Sequence, residues 1–229
     1  MKATRPSRSR PPSPLAGSAP LPLTPAPERI LGDWCAEGYP QATADGRCGR
    51  SPGANAVGSA PEGPPTLVVI AGMHGNEPSG VHAARRVFAC LAEARPLFRG
   101  RFVAVAGNRQ ALALGRRFID RDLNRNWSAE QLGRAKARIA AGTGSAEDRE
   151  QVELAATLDP ILRQAPGKVY IVDCHSTSSQ SAPFMLFADT LVNRDFAAAF
   201  PLPLVLGLEE QIDGALFDHY QGHGVVTLG

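Results

Sequence analysis

A histidine and a glutamate stand three residues apart in Gly72-Met73-His74-Gly75-Asn76-Glu77. Imidazole nitrogen and carboxylate oxygen both suit Zn²⁺, which in hydrolytic sites takes three protein ligands and keeps one position open. An isolated H-x-x-E is more often a surface histidine near a glutamate. The neighbouring glycines favour a functional reading, because they let the backbone turn sharply after a strand. The third ligand candidate is His175, in Ile171-Val172-Asp173-Cys174-His175-Ser176-Thr177-Ser178-Ser179. It follows an apolar run and opens a hydroxyl-rich loop. Alone it would pass as a structural histidine. With His74 and Glu77 it completes a His₂Glu set, a zinc-hydrolase pattern.

The densest motif is Arg116-Arg117-Phe118-Ile119-Asp120-Arg121-Asp122-Leu123-Asn124-Arg125-Asn126-Trp127, with four arginines and two aspartates. The outer arginines read as a solvated charge run. Asn124 and Arg125 read as a carboxylate clamp: guanidinium is a planar fork that binds a carboxylate through two parallel bonds, and Asn adds a directional donor. Asp122 is placed to accept the second N–H of a zinc-bound histidine and fix its tautomer. Arg117 is a candidate to polarise a scissile carbonyl and stabilise its oxyanion.

These groups need a scaffold. Thr66–Ala71 is a short apolar, β-branched run ending at Gly72, as expected for a buried strand. Pro78 suits a first helical turn, and the helix should run to about Glu93. Arg101–Ala106 reads as a second strand and Lys168–Asp173 as a third. Phe184–Phe187 is a shorter candidate and Val225–Leu228 a last one. Residues 128–140 and 145–164 read as helices, and 107–127 as irregular. The expected fold class is α/β, a mostly parallel or mixed sheet flanked by helices. In such sheets ligands sit beyond the carboxyl ends of the strands, and all three motifs fall there.

Composition narrows the partners. The chain has 229 residues, 43% of them hydrophobic, and a net charge of +2. With no long basic block, neither nucleic acid nor a membrane surface is the expected partner. No apolar run is long enough to span a bilayer. Four widely spaced cysteines without a C-x-x-C pair argue against a cysteine zinc site and a disulfide scaffold. The reducing cytoplasm is the simplest compartment. Thirteen of the 20 prolines lie in residues 1–65, which are expected to be mostly disordered. The stretch Arg29–Trp34 could add a short ordered piece. His82 reads as structural or solvated, and His219 and His223 as surface loop residues.

The order H-x-x-E, D-x-N-R-N-W, then a strand ending in His followed by Ser and Thr resembles the zinc carboxypeptidase superfamily. Gly72–Gly80, Gly107-Asn108 with Ala111-Leu112, Arg117–Arg125 and Asp173–Ser178 are most similar to its aspartoacylase/succinylglutamate desuccinylase branch. The resemblance covers residues 66–229. It implies a zinc-carboxypeptidase-like fold with one Zn²⁺ per chain on His74, Glu77 and His175. It further implies Arg117 as the carbonyl-polarising residue, and Asn124 and Arg125 as substrate-carboxylate ligands. The implied reaction is deacylation of an N-acyl amino acid, or a related small carboxylate substrate, by zinc-bound water. The alternatives are a carboxypeptidase acting on peptide C-termini, or a zinc-binding fragment lacking the general base. The resemblance places that base on a late strand, where this chain reads Gly224-Val225-Val226-Thr227-Leu228 and stops at Gly229. The expected organisation is therefore a Pro-rich segment, 1–65, and a catalytic domain, 66–229, incomplete at its C-terminus. Glu209 and Glu210 are weaker candidates for the base. The Pro-rich segment also stands where the resemblance implies an ordered strand, which it is expected to replace poorly.

Overall fold

A computed structural model describes residues 25–35, 63–177, 180–207, 213–221 and 225–229. Its elements in chain order are β1 (Ile30–Cys35), β2 (Gly63–Ala71), α1 (Ser79–Ala94), β3 (Arg101–Ala106) and α2 (Arg109–Leu114). A 3-10 turn (Leu123–Arg125) is followed by α3 (Ala129–Ala140), α4 (Ala146–Arg163), β4 (Gly167–Cys174) and β5 (Met185–Leu186). The remainder are α5 (Leu191–Ala197), β6 (Leu204–Val205), α6 (Leu216–Gln221) and β7 (Val226–Leu228). Five strands form the main sheet in the order β1-β3-β2-β4-β7. β2 pairs in parallel with β3 and β4, and β4 with β7, while β1 runs antiparallel to β3. The sheet is thus mixed but mostly parallel. β5 and β6 form a separate parallel pair.

β2 shows why the sheet has two unequal faces. Thr66, Val68 and Ile70 are fully buried, while Leu67 and Val69 between them are partly exposed. Val68, Ile70, Val103, Val105 and Ile171 pack against Leu154, Leu158 and Ile161 of α4, with Trp127, Leu216 and Tyr220 completing the main core. On the other face a smaller cluster joins Ala71, Ala106 and Leu112 to Val81 of α1. Helices therefore cover both faces, as parallel pairing requires.

A strand does form ahead of β2. β1 lies within the Pro-rich stretch, at the position expected for a short ordered piece, and corrects the expectation that this stretch replaces an ordered strand poorly. Arg29 ties it down: its Nη1 donates to the Ala106 carbonyl (2.7 Å) and its Nη2 to Glu150 (2.5 Å). Arg101 forks onto Asp33 at 3.0 and 2.6 Å. The expectations for residues 1–24 and 36–62, and for Glu209, Glu210 and His223, lie outside the described residues. Cys35 is disulfide-bonded, an outcome the cysteine spacing argued against, whereas Cys90 and Cys174 are free. Among the described residues no helix is long and apolar enough to cross a membrane.

Candidate metal centre

β2 ends in the loop 72–78, and β4 ends at Cys174, beside it in the sheet. The turn out of β2 depends on glycine twice. Gly72 has φ +73, a left-handed conformation. At Gly75 an added Cβ would lie 2.0 Å from the Ala111 carbonyl carbon, so no side chain fits. Gly75 N–H donates to the Arg117 carbonyl at 3.1 Å, drawing the arginine-rich loop against the turn.

This places His74, Glu77 and His175 together. One ligand atom from each lies within 4.8 Å of the others, a group that could hold a metal ion. His74 Nδ1 is 3.0 Å from Glu77 Oε1, and His175 Nδ1 is 3.2 Å from Glu77 Oε2. Behind the rings, His74 Nε2 is 3.0 Å from Asp122 Oδ1 and His175 Nε2 is 3.0 Å from Asp173 Oδ2. A carboxylate only accepts, so each Nε2 carries a proton. In neutral rings that leaves both Nδ1 lone pairs aimed at Glu77, another acceptor. Two imidazole lone pairs and two carboxylate oxygens cannot face one another unless protons or a cation lie between them. The donor set therefore fits a divalent cation of zinc type.

The same electrostatics governs protons. Burial alone would lower the affinity of His175 for a proton, but Asp173 and Glu77 outweigh it and push the pKa up to about 10. His74 is shifted upward against burial by its bonds to Asp122 and Glu77. Burial would raise both carboxyls, yet the histidines hold Glu77 and Asp122 well below the usual carboxylate range. The site is a concentrated negative pocket asking for positive charge.

The arginine-rich loop surrounds this cluster unevenly. Arg117 Nη2 donates to Asp122 Oδ2 at 3.0 Å, and Nη1 is 3.7 Å from Glu77 Oε1. Its side chain stays 44% exposed, which leaves it accessible to a ligand. Asn124 is buried. Its Oδ1 accepts from Leu216 N–H at 2.9 Å, which points Nδ2 toward His175 Nε2, 3.3 Å away. Arg125 is exposed, and its Nη1 donates to the Asn124 carbonyl at 2.7 Å. The structure thus gathers Arg117, Asp122 and Asn124 at the cluster and leaves Arg125 beside it without a contact to the metal-binding group.

A model of the succinylglutamate desuccinylase/aspartoacylase catalytic domain matches residues 64–223. The chain belongs to this family. An N-acyl-aromatic-L-amino acid amidohydrolase (carboxylate-forming) from Xenopus tropicalis is 32% identical over 125 residues, covering 53% of this chain and 37% of the relative. Succinylglutamate desuccinylase from Photorhabdus laumondii is 30% identical over 118 residues, covering 50% of this chain and 32% of the relative. The chain spans about a third of the length of these curated relatives. The crystal structure of succinylglutamate desuccinylase from Chromobacterium violaceum shares the fold, with a TM-score of 0.56, 17% identity, and coverage of 74% of this chain and 53% of that one. An aspartoacylase family protein from Mesorhizobium loti has a TM-score of 0.54 and 24% identity, with 74% and 52% covered.

Two residues of this chain escaped the sequence reading. Asp173 lies two residues before His175, and this carboxylate holds the His175 ring. The spacing was a usable signal, since alternate strand residues share a face. Glu147 lies 28 residues after Ile119 yet binds that residue's backbone. No spacing rule reveals such a contact.

Proposed function

We propose that this chain is the metal-binding part of a zinc-dependent hydrolase that cleaves the amide bond of an N-acyl amino acid or a related small carboxylate substrate. The observation that carries the reading is the pair of Nδ1 atoms facing the two oxygens of one glutamate, each ring backed by its own carboxylate. One zinc per chain on His74, Glu77 and His175 would supply Lewis acidity and water activation near neutral pH. Asp122 and Asp173 hold the two rings in the tautomer that presents Nδ1. Arg117, anchored by Asp122 and half exposed, is the residue that meets the developing negative charge on the scissile carbonyl. Asn124 offers an amide donor beside His175 and Arg125 an exposed guanidinium next to it in the chain, and the two are the proposed ligands of the substrate carboxylate. The named relatives support a small acyl-amino-acid substrate. Residues 66–229 form the proposed catalytic segment, with β1 added to its sheet. The proposed compartment is the cytoplasm, supported by the free thiols of Cys90 and Cys174, while the cystine at Cys35 stands against it.

Metal analysis tests the core of the proposal. Purified wild type should carry about one zinc per chain, and His74→Ala and His175→Ala should lose it. Equal content in all three would overturn the ligand assignment. A panel of N-acyl aromatic amino acids, N-succinylglutamate and C-terminal peptides then tests the substrate class. Hydrolysis confined to the peptides would replace the deacylase reading with a carboxypeptidase.

A further inference from the structure

Glu147, on the first turn of α4, is fully buried and has no basic side chain among its bonded partners. Its two oxygens instead collect four N–H donors. Oε1 accepts from Asn108 Nδ2 at 2.9 Å and from Ile119 N–H at 2.7 Å. Oε2 accepts from Asp120 N–H at 2.9 Å and Arg121 N–H at 3.3 Å. Three consecutive backbone amides of an irregular loop thus converge on one side chain. The loop answers in kind: Asp120 Oδ2 accepts from Ala146 N–H at 2.8 Å, and Arg121 pairs with Asp148. Asn108, also fully buried, caps α2 through Oδ1 while its amide reaches Glu147, so the clasp extends to the end of β3.

The loop so fastened begins at Arg117 and ends at Asp122, and these are its two members at the metal centre. We propose that Glu147 is a positioning residue. By fixing amides 119–121 it sets the distance at which Asp122 meets His74 Nε2 and Arg117. Buried backbone N–H groups must find acceptors, and a carboxylate offers enough lone pairs to satisfy three in succession. An isosteric amide cannot, because its NH₂ end would face two donors. The inference rests on the metal reading above, since its effect runs through Asp122 to a ligand.

The test is Zn²⁺ affinity, measured by competition with a chromophoric chelator. Glu147→Gln should weaken binding about 10-fold, as changes behind a ligand do, and Asp122→Asn should weaken it comparably. The double variant should be no weaker than the weaker single to within about two-fold, because both act through one contact. A merely structural role would make the losses multiply, and that result overturns the proposal. So does Glu147→Gln binding zinc as wild type does. Glu153→Gln, an exposed acid on the same helix, should leave affinity unchanged. Where Glu147→Gln fails to fold, Asp120→Asn loosens the same clasp from the loop side and should weaken binding in the same direction. Hydrogen exchange on the metal-free wild type supplies an independent arm. Amides of Ile119, Asp120 and Arg121 should exchange slowly, and rates typical of an open loop would overturn the clasp. If wild type binds no zinc, the metal reading fails while the exchange arm still decides whether the clasp exists.

Discussion

Both oxygens of Glu77 face imidazole nitrogens that neutral rings would leave unprotonated, and this conflict makes a sharp prediction. In Glu77→Gln the side-chain amide would donate to one Nδ1 and accept Ser176 N–H, which now bonds Glu77 Oε2 at 2.8 Å. Without metal, protons relieve this conflict, since against the opposing effect of burial Asp173 and Glu77 hold the His175 pKa up to about 10; the amide gives up that ion pairing as well as the charge a cation needs. Glu77→Gln should therefore lose zinc and, after chelator treatment, melt lower than the chelator-treated wild type at pH 7. Retained zinc, or equal melting temperatures of the two metal-free proteins, would contradict this. His74, Glu77 and His175 were legible because few residue types bind zinc and all three fall where strands end. Arg125 was read from its type and from the D-x-N-R-N-W motif, and its exposure shows that a guanidinium fork in a motif need not be docked in the resting chain. Asp173 was legible in principle and missed. Glu147 was not legible, because a side chain that acts on backbone amides leaves no trace in their side-chain types.

Among the elements, α4 joins the site to the core. Ser145 and Asp148 form a capping box at its start. Asp148 is almost wholly buried and accepts from Arg138 at 2.9 and 2.6 Å. That arginine, against the opposing effect of burial, holds the carboxyl well below the usual carboxylate range. A group with a depressed folded pKa stabilises above its unfolded value, about 3.9 for Asp, and the benefit fades as pH falls toward the folded value. Thermal melts should show Asp148→Asn less stable than wild type at pH 7, with the gap narrowing steadily below about pH 4. An equal gap at both ends of that range would remove Asp148 as its cause. The long elements were legible: β3 falls at its expected bounds, and α1, α3, α4 and β4 fall within a residue or so. α2, α5 and α6, of six or seven residues, are too short for hydrophobic periodicity to emerge. For α2 a signal existed in its caps, Asn108 before it and Gly115 after it with φ +61.

At the scale of the whole molecule, the larger core is built where α4 crosses the sheet. Leu158 is fully buried there. Leu158→Ala should cost about 2–5 kcal/mol of unfolding free energy, the range for removing a buried leucine side chain. Denaturant melts would show it, and a loss below about 1 kcal/mol would mean the site is looser than its burial implies. The mostly parallel α/β class was legible from alternating strands and helices, and the antiparallel addition of β1 was not. The pairing of β2 with β4 has one more consequence, and it concerns time. Ala71 sits beside Cys174 in that register, and the residues between them include β3 and four helices. Closing so large a loop costs entropy before any contact repays it, and chains dominated by such distant pairings fold slowly. His74 and Glu77 follow one of these strands and His175 the other, so the coordinating atoms meet only after that late registration. Nascent or half-folded chains would lack the chelating geometry altogether, so the onset of the proposed metal affinity would be a clock for completion of the central sheet.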